Sequence, residues 1–269
     1  MSESKPQISI LVVEDDAGDL GLIQAHIRRA GLRRLGDGEP IAWASNLVDG
    51  VRMATAARPD VVLLDLSLPD SAGIATVQMM RSVVPDVPII VLTGADDHQL
   101  AAAALEAGAQ DYLVKGQFEH DALGRAIRHA VVRQKLESRL RLFEAALNSA
   151  ANGIVITDVD ATVVWANPAF TRMTGISLAE AVGTRPSEML NTGQQDEEFY
   201  QRMWETVLDG RVWSGELVNR RKDGSLYDEA LTISPVTDIN GRIQHFVAIK
   251  QDISERKASE ERVQHLAHH

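Results

Sequence analysis

Ten residues, Val61 to Asp70, constrain this chain more than any others: VVLLDLSLPD is apolar without a break up to Asp65 and turns at Pro69. A strand with one wet face alternates apolar and polar side chains, so an unbroken run reads as a strand covered on both faces. Asp65 then stands at the carboxyl end of a central parallel strand. In open α/β sheets that edge is where ligands bind.

The flanking sequence repeats the same grammar. Ile8 to Val13 is apolar and runs into Glu14, Asp15 and Asp16, after which Leu20, Ile23 and Ile27 recur at helical spacing. Residues 32–40 carry Gly36, Asp37, Gly38 and Pro40 and read as a loop. Ile41 to Ser45 predicts a second strand, and Leu47, Val51 and Ala54 the helix after it. Beyond Asp65, Ile74, Val77 and Val84 mark a helix, and Val87 to Leu92 a strand ending on Thr93. Gln99 to Ala107 is an Ala-rich helix stopped by Gly108, and Tyr112 to Val114 a strand ending on Lys115. This alternation predicts a doubly wound five-stranded parallel sheet with right-handed crossovers.

Every polar strand-end residue falls on one edge: Glu14, Asp15, Asp65, Thr93 and Lys115. Three carboxylates held together repel and need a cation. All-oxygen ligation with open positions suits Mg²⁺. With the Lys115 charge and the Thr93 hydroxyl, the set predicts phosphoryl transfer to a carboxylate nucleophile.

The stretches LVVEDD, LLDLSLPDSAG, VLTGAD and DYLVKG resemble, in order and spacing, the receiver domain of two-component response regulators, over about Ile8 to Arg133. The resemblance implies a flavodoxin-like fold in which Asp65 is the phosphoacceptor. Asp15 is then a direct Mg²⁺ ligand, Glu14 a ligand through water, and the Ser67 backbone carbonyl a third. It also implies that Thr93 follows the phosphoryl group, Lys115 pairs with it, and Tyr112 is the aromatic switch residue. A histidine kinase or phosphotransfer protein would be the donor. Ser67 and Ala95 occupy the variable positions two residues beyond Asp65 and Thr93, which leaves the phosphoryl lifetime open. Gly116 replaces the proline that usually follows the lysine.

From His120 to Ala150 the helical pattern outruns what a crossover needs. Leu136, Leu140, Phe143 and Leu147 recur at alternating four and three, the spacing of a coiled-coil seam, interrupted upstream at Arg133 and His129. We expect a homodimer paired through helices 120–150 and 255–266; the alternative is a helix packed on its own domains.

The second half alternates as strands do. Ile154 to Asp158 and Thr162 to Trp165 predict a hairpin, and Asn167-Pro168 opens a short helix closed by Gly175. Gln195 to Leu208 is a longer helix, followed by strands at Trp213 to Arg221, Ser225 to Thr237 and Arg242 to Asp252, joined by Asp223-Gly224 and Asn240-Gly241 turns. An antiparallel sheet with short helices is an α+β domain with a small interior pocket. GIVITD, WANPAFTRMTG, WSGELVNRRKDGSLYDEALTISPV and QDISERK resemble a PAS domain, over about Leu142 to Lys257. The segment from Asn191 to NRRKDG is similar to PAS domains that hold FAD non-covalently, with Trp204, Trp213 and Asn219 as pocket residues. The alternative, which has the greater weight, is that Phe, Met and Trp at helical spacing simply fill the core. The chain has no cysteine, which rules out a flavin-cysteinyl adduct, and no histidine lies between His129 and His245, which argues against haem.

The expected layout is a receiver at 1–133, a signalling helix at 134–147, a PAS domain at 148–254 and an exit helix at 255–269. The ending HLAHH resembles the lead-in to a GGDEF diguanylate cyclase, so cyclic di-GMP synthesis is the expected output beyond residue 269. A net charge of −11 argues against a nucleic-acid partner. The N-terminus lacks a signal-peptide core and no run is long enough to cross a bilayer, so we expect a cytoplasmic chain without membrane contact. No G-x-G-x-x-G follows the first strand, so dinucleotide binding is not expected. Ser67 stands where an aspartate-nucleophile phosphatase would need its second carboxylate. The chain as given reads as a regulatory module, not an enzyme. The rival reading is a ligand or redox sensor whose PAS pocket is the main input.

Overall fold

The computed structural model describes residues 8–32, 41–94, 98–116 and 121–267. It divides into two compact units, residues 1–140 and 141–269, each with its own sheet and core.

The first unit runs β1 (Ile10–Val13), α1 (Ala17–Arg29), β2 (Ile41–Ala44), α2 (Leu47–Ala57), β3 (Val61–Asp65), β4 (Ser67–Leu68), β5 (Ser71–Ala72), α3 (Ile74–Val83), β6 (Ile89–Thr93), α4 (His98–Glu106), β7 (Asp111–Val114) and the start of α5 (Ala122–Ser149). The main sheet is wholly parallel in the order β2-β1-β3-β6-β7. Every residue of β1, β3 and β6 is buried, as the apolar runs require of strands covered on both sides. One face packs on α1 and α5 through Ile23, Ile27, Leu123 and Ile127. The other packs on α2, α3 and α4 through Leu47, Ala54, Val77, Met80 and Ala104.

The expected strand ends on Asp65, as its apolar run does. Asp65 Oδ1 accepts the Ser67 amide at 3.2 Å, and Ser67–Leu68 pairs instead with Ser71–Ala72 in a small hairpin. Asp70, in that hairpin's turn, accepts the amides of Leu47 and Val48 at 2.8 and 3.0 Å and so caps α2 alongside Asn46. Gly124 lets α5 pass close to the end of α1: a Cβ there would lie 2.5 Å from that of Ala30. The 33–40 part of the expected loop, Ala95 and His120 lie outside the described residues.

Helix α5 is 28 residues long. Its first turns are buried through Leu123, Ala126, Ile127, Ala130 and Val131, whereas Leu136, Leu140, Leu142 and Phe143 are each at least 60% exposed.

The second unit runs β8 (Gly153–Thr157), β9 (Val163–Ala166), α6 (Pro168–Thr174), α7 (Leu178–Ala181), α8 (Pro186–Leu190), α9 (Glu197–Leu208), β10 (Trp213–Arg220), β11 (Leu226–Thr237), β12 (Ile243–Asp252) and α10 (Ser254–Ala267). Its antiparallel sheet has the order β10-β11-β12-β8-β9. Val155, Phe170, Val207, Leu217, Leu231 and Phe246 form its core. Gly224 and Gly241 take φ of 89° and 79° at the hairpin turns, a region that side chains disfavour. Buried Asn167 caps α6, accepting the Phe170 and Ile154 amides and donating to the Leu147 and Asn152 carbonyls, so the end of α5 is tied to this unit. Helices α7 and α8 were not expected: four or five residues are too few to show a helical period.

Candidate functional site

The parallel sheet delivers the expected residues to one edge. Glu14 follows β1, Asp65 ends β3, Thr93 ends β6, and Lys115 follows β7, its amide bonded to the Thr93 carbonyl at 2.7 Å. Ligand oxygens of Glu14, Asp15 and Asp65 lie within 4.8 Å of one another. Glu14, Asp65 and Thr93 are buried, whereas Asp15 and Ser67 are exposed. Tyr112 is half-buried on β7, against the core that faces α2, α3 and α4.

One ammonium neutralises the cluster. Lys115 Nζ lies 2.8 Å from Asp65 Oδ2, 2.7 Å from Glu14 Oε2 and 3.0 Å from Asp19 Oδ2. Burial works against that charge, but Asp65, then Glu14 and Asp19, outweigh it and hold the Lys115 pKa above the ordinary lysine value. Burial also raises Glu14; Lys115 opposes this, and repulsion from Asp65 adds to it. Buried Glu14 Oε2 is met by the Lys115 ammonium at 2.7 Å. Three converging carboxylates, one of them exposed, make an all-oxygen donor set that fits a small, hard divalent cation such as Mg²⁺.

Two residues of this edge escaped the sequence reading. Asp19 sits in the first turn of α1, where a carboxylate is routine beside the helix dipole, so only the fold brings it to Lys115. Trp43, on β2, donates from its indole Nε1 to the Glu14 carbonyl at 2.7 Å and holds the acidic loop to the sheet.

The second unit contains an apolar cavity of about 130 Å³ lined by Leu190, Met203, Trp204, Leu217, Ile233 and Phe246, with Thr157, Asn191, Asn219 and Lys250 as polar groups. Trp204 and Asn219 are therefore where the sequence reading placed them. Trp213 is not: it does not line the cavity, its ring lies edge-on to Phe199 at 5.5 Å, and it folds over Gly215 at the outer end of β10. Sequence reasoning also missed a buried network beside the cavity. Glu229 accepts from Lys250 at 2.8 Å, Tyr227 at 2.8 Å and Asn219 at 3.0 Å. Arg221 stacks on Tyr227 and pairs with Asp252.

Comparison with known proteins matches each unit to a described family. Residues 10–128 match the family described as response regulator receiver domain, and residues 141–253 match the PAS fold. The chain thus carries a receiver domain followed by a PAS domain. It is 36% identical over 141 residues to a nitrogen fixation regulatory protein of Klebsiella oxytoca, covering 52% of this chain and 28% of that protein. It is 28% identical over 209 residues to a bacterioopsin transcriptional activator of Halobacterium salinarum, covering 71% and 31%. A transcriptional regulatory protein, PrrA, of Mycobacterium tuberculosis is 36% identical over 106 residues, covering 39% and 42%. The chain spans less than half the length of each of these relatives. Among the described residues no helix is long and apolar enough to cross a membrane.

Proposed function

We propose that this chain is a phosphorylation-controlled regulatory module, not an enzyme with its own small-molecule substrate, whose input is Asp65. The observation that carries the reading is the buried Asp65 carboxylate held between Lys115 and a carboxylate cluster at the carboxyl edge of the sheet. Asp65 attacks phosphorus of a phosphohistidine on a kinase or phosphotransfer protein. A carboxylate oxygen–phosphorus bond forms as the phosphorus–nitrogen bond breaks, and the imidazole leaves with the electron pair. Glu14, Asp15, Asp65 and the Ser67 carbonyl would hold Mg²⁺, which supplies positive charge to the transferring oxygens. Lys115 pairs with the phosphoryl group, Thr93 follows it, and Tyr112 reports the change to the surface. Incubation with acetyl phosphate and Mg²⁺ should add one phosphoryl mass to the wild-type chain and none to Asp65→Asn. An unmodified wild type would sink the assignment.

The exposed stripe of Leu136, Leu140 and Phe143 supports a homodimer paired through α5, with α10 as the exit helix. The working boundaries are receiver 1–133, signalling helix 134–147, PAS 148–254 and exit helix 255–269. Cyclic di-GMP synthesis is the output we assign to this module, from the resemblance of the exit helix to a cyclase lead-in. Cells expressing the full natural gene should show raised cyclic di-GMP, and an unchanged level would overturn this. With such partners the module acts in the cytoplasm, without nucleic-acid or membrane contact of its own.

A second reading rests on the cavity. Its aromatic wall and polar groups would take FAD or another small molecule, making the PAS domain the main input. A visible absorption spectrum of the purified chain decides the flavin case: bands in the blue support it, and a colourless sample at full occupancy removes it.

A further inference from the structure

Asp19 belongs neither to the carboxylate trio that converges for a cation nor to the phosphoacceptor, yet its Oδ2 lies 3.0 Å from Lys115 Nζ. It is also firmly placed. Its amide donates to the N-cap Asp16 side chain at 2.9 Å, which fixes the first turn of α1. An ammonium has three N–H donors, and here three carboxylates surround it: Glu14, Asp19 and Asp65.

Two of those three are required elsewhere. A divalent cation claims Glu14 and Asp65, and phosphorylation converts Asp65 itself. Asp19 is the one carboxylate partner that neither event removes. We infer that Asp19 is a positioning residue acting through Lys115. It holds the ammonium toward α1, so that Lys115 can release Glu14 and Asp65 to an arriving cation and remain in place for the phosphoryl oxygens. Without it the ammonium leans wholly on Glu14 and Asp65, and an incoming cation must displace it from both. Asp19 therefore sets how strongly Lys115 competes with the metal. The bland alternative is that Asp19 only complements the helix dipole.

This inference rests on the receiver reading, and the test separates the two. Mg²⁺ affinity is measured by isothermal titration calorimetry on wild type, Asp19→Asn, Lys115→Ala and the double variant, with thermal melts as a check of folding. Asp19→Asn is expected to raise the Mg²⁺ Kd about fivefold when Lys115 is present, a coupling ordinary for charged side chains in contact. With Lys115 removed, the same substitution should change Kd by less than about twofold. Asp19→Glu should restore much of the affinity. An equal factor in both backgrounds would mean that Asp19 acts on the metal by charge alone, and no change in either would mean a purely local helix role; each overturns the inference. Lys115→Gln serves as the uncharged background if the alanine chain does not fold. A wild type that binds no Mg²⁺ and takes no phosphoryl group from acetyl phosphate overturns the receiver reading as well.

Discussion

Lys115 faces three carboxylates, and the crowding gives the site its own pH response. Glu14 has its pKa raised, chiefly by burial, so the metal-free native site binds its proton more tightly than the unfolded chain does. The sign follows: that contribution is present below the ordinary glutamate value and is lost as pH rises through the raised one. Glu14→Gln should therefore melt higher than wild type at neutral pH without metal, the gap closing on acidification, while Mg²⁺ no longer raises its Tm. Trp43→Phe should lose about 1 kcal/mol in urea denaturation, the worth of one part-buried hydrogen bond to the Glu14 carbonyl. The polar edge was legible because strand ends announce themselves: an apolar run that stops on Asp65 or Lys115 has few readings. Asp19, Glu229 and Lys250 were not, because a carboxylate in a first helical turn, or a charge within a strand, looks like a solvated surface until a partner distant in sequence is known.

Among the elements, α5 is the most exposed in its second half. Phe143→Glu places a charge in the stripe formed with Leu136 and Leu140; on the proposed pairing, sedimentation equilibrium should show a dimer for wild type and a monomer for the variant. Helix α7 gives a smaller, sharper test. Its capping box joins Ser177 to Glu180, and Lys222 also reaches Glu180, which is held at a pKa of about 2 first by Lys222 and then by the Ser177 backbone. Whatever stability this supplies is present above the ordinary glutamate value and lost as pH falls toward 2. Carboxyl NMR titration should place the midpoint there, and Lys222→Met should move it back toward the ordinary range. The long elements were legible from apolar period and Gly-containing turns. Resemblance to FAD-holding PAS domains puts Trp213 in the pocket; it shares a face with Leu217 and Asn219 but, at the start of β10, does not line the cavity.

At the scale of the whole molecule, two units with separate cores should unfold in two calorimetric transitions, with Mg²⁺ raising only the receiver's. The Glu229–Lys250 pair lets the other transition be moved alone. Lys250→Met leaves a buried carboxylate unpaired and should cost about 3–5 kcal/mol in the PAS unit. Adding Glu229→Gln should recover most of that loss, since removing both charges ends the desolvation problem that removing one creates.

The length of α5 carries one more consequence. A helix has a phase as well as a length: its 28 residues advance about 42 Å, and each adds about 100° of turn. One residue inserted after Glu137 would turn the helix face beyond it by more than a quarter circle, while seven would restore nearly the original angle. Signalling in a series of insertions should rise and fall with the helical repeat instead of declining steadily with length.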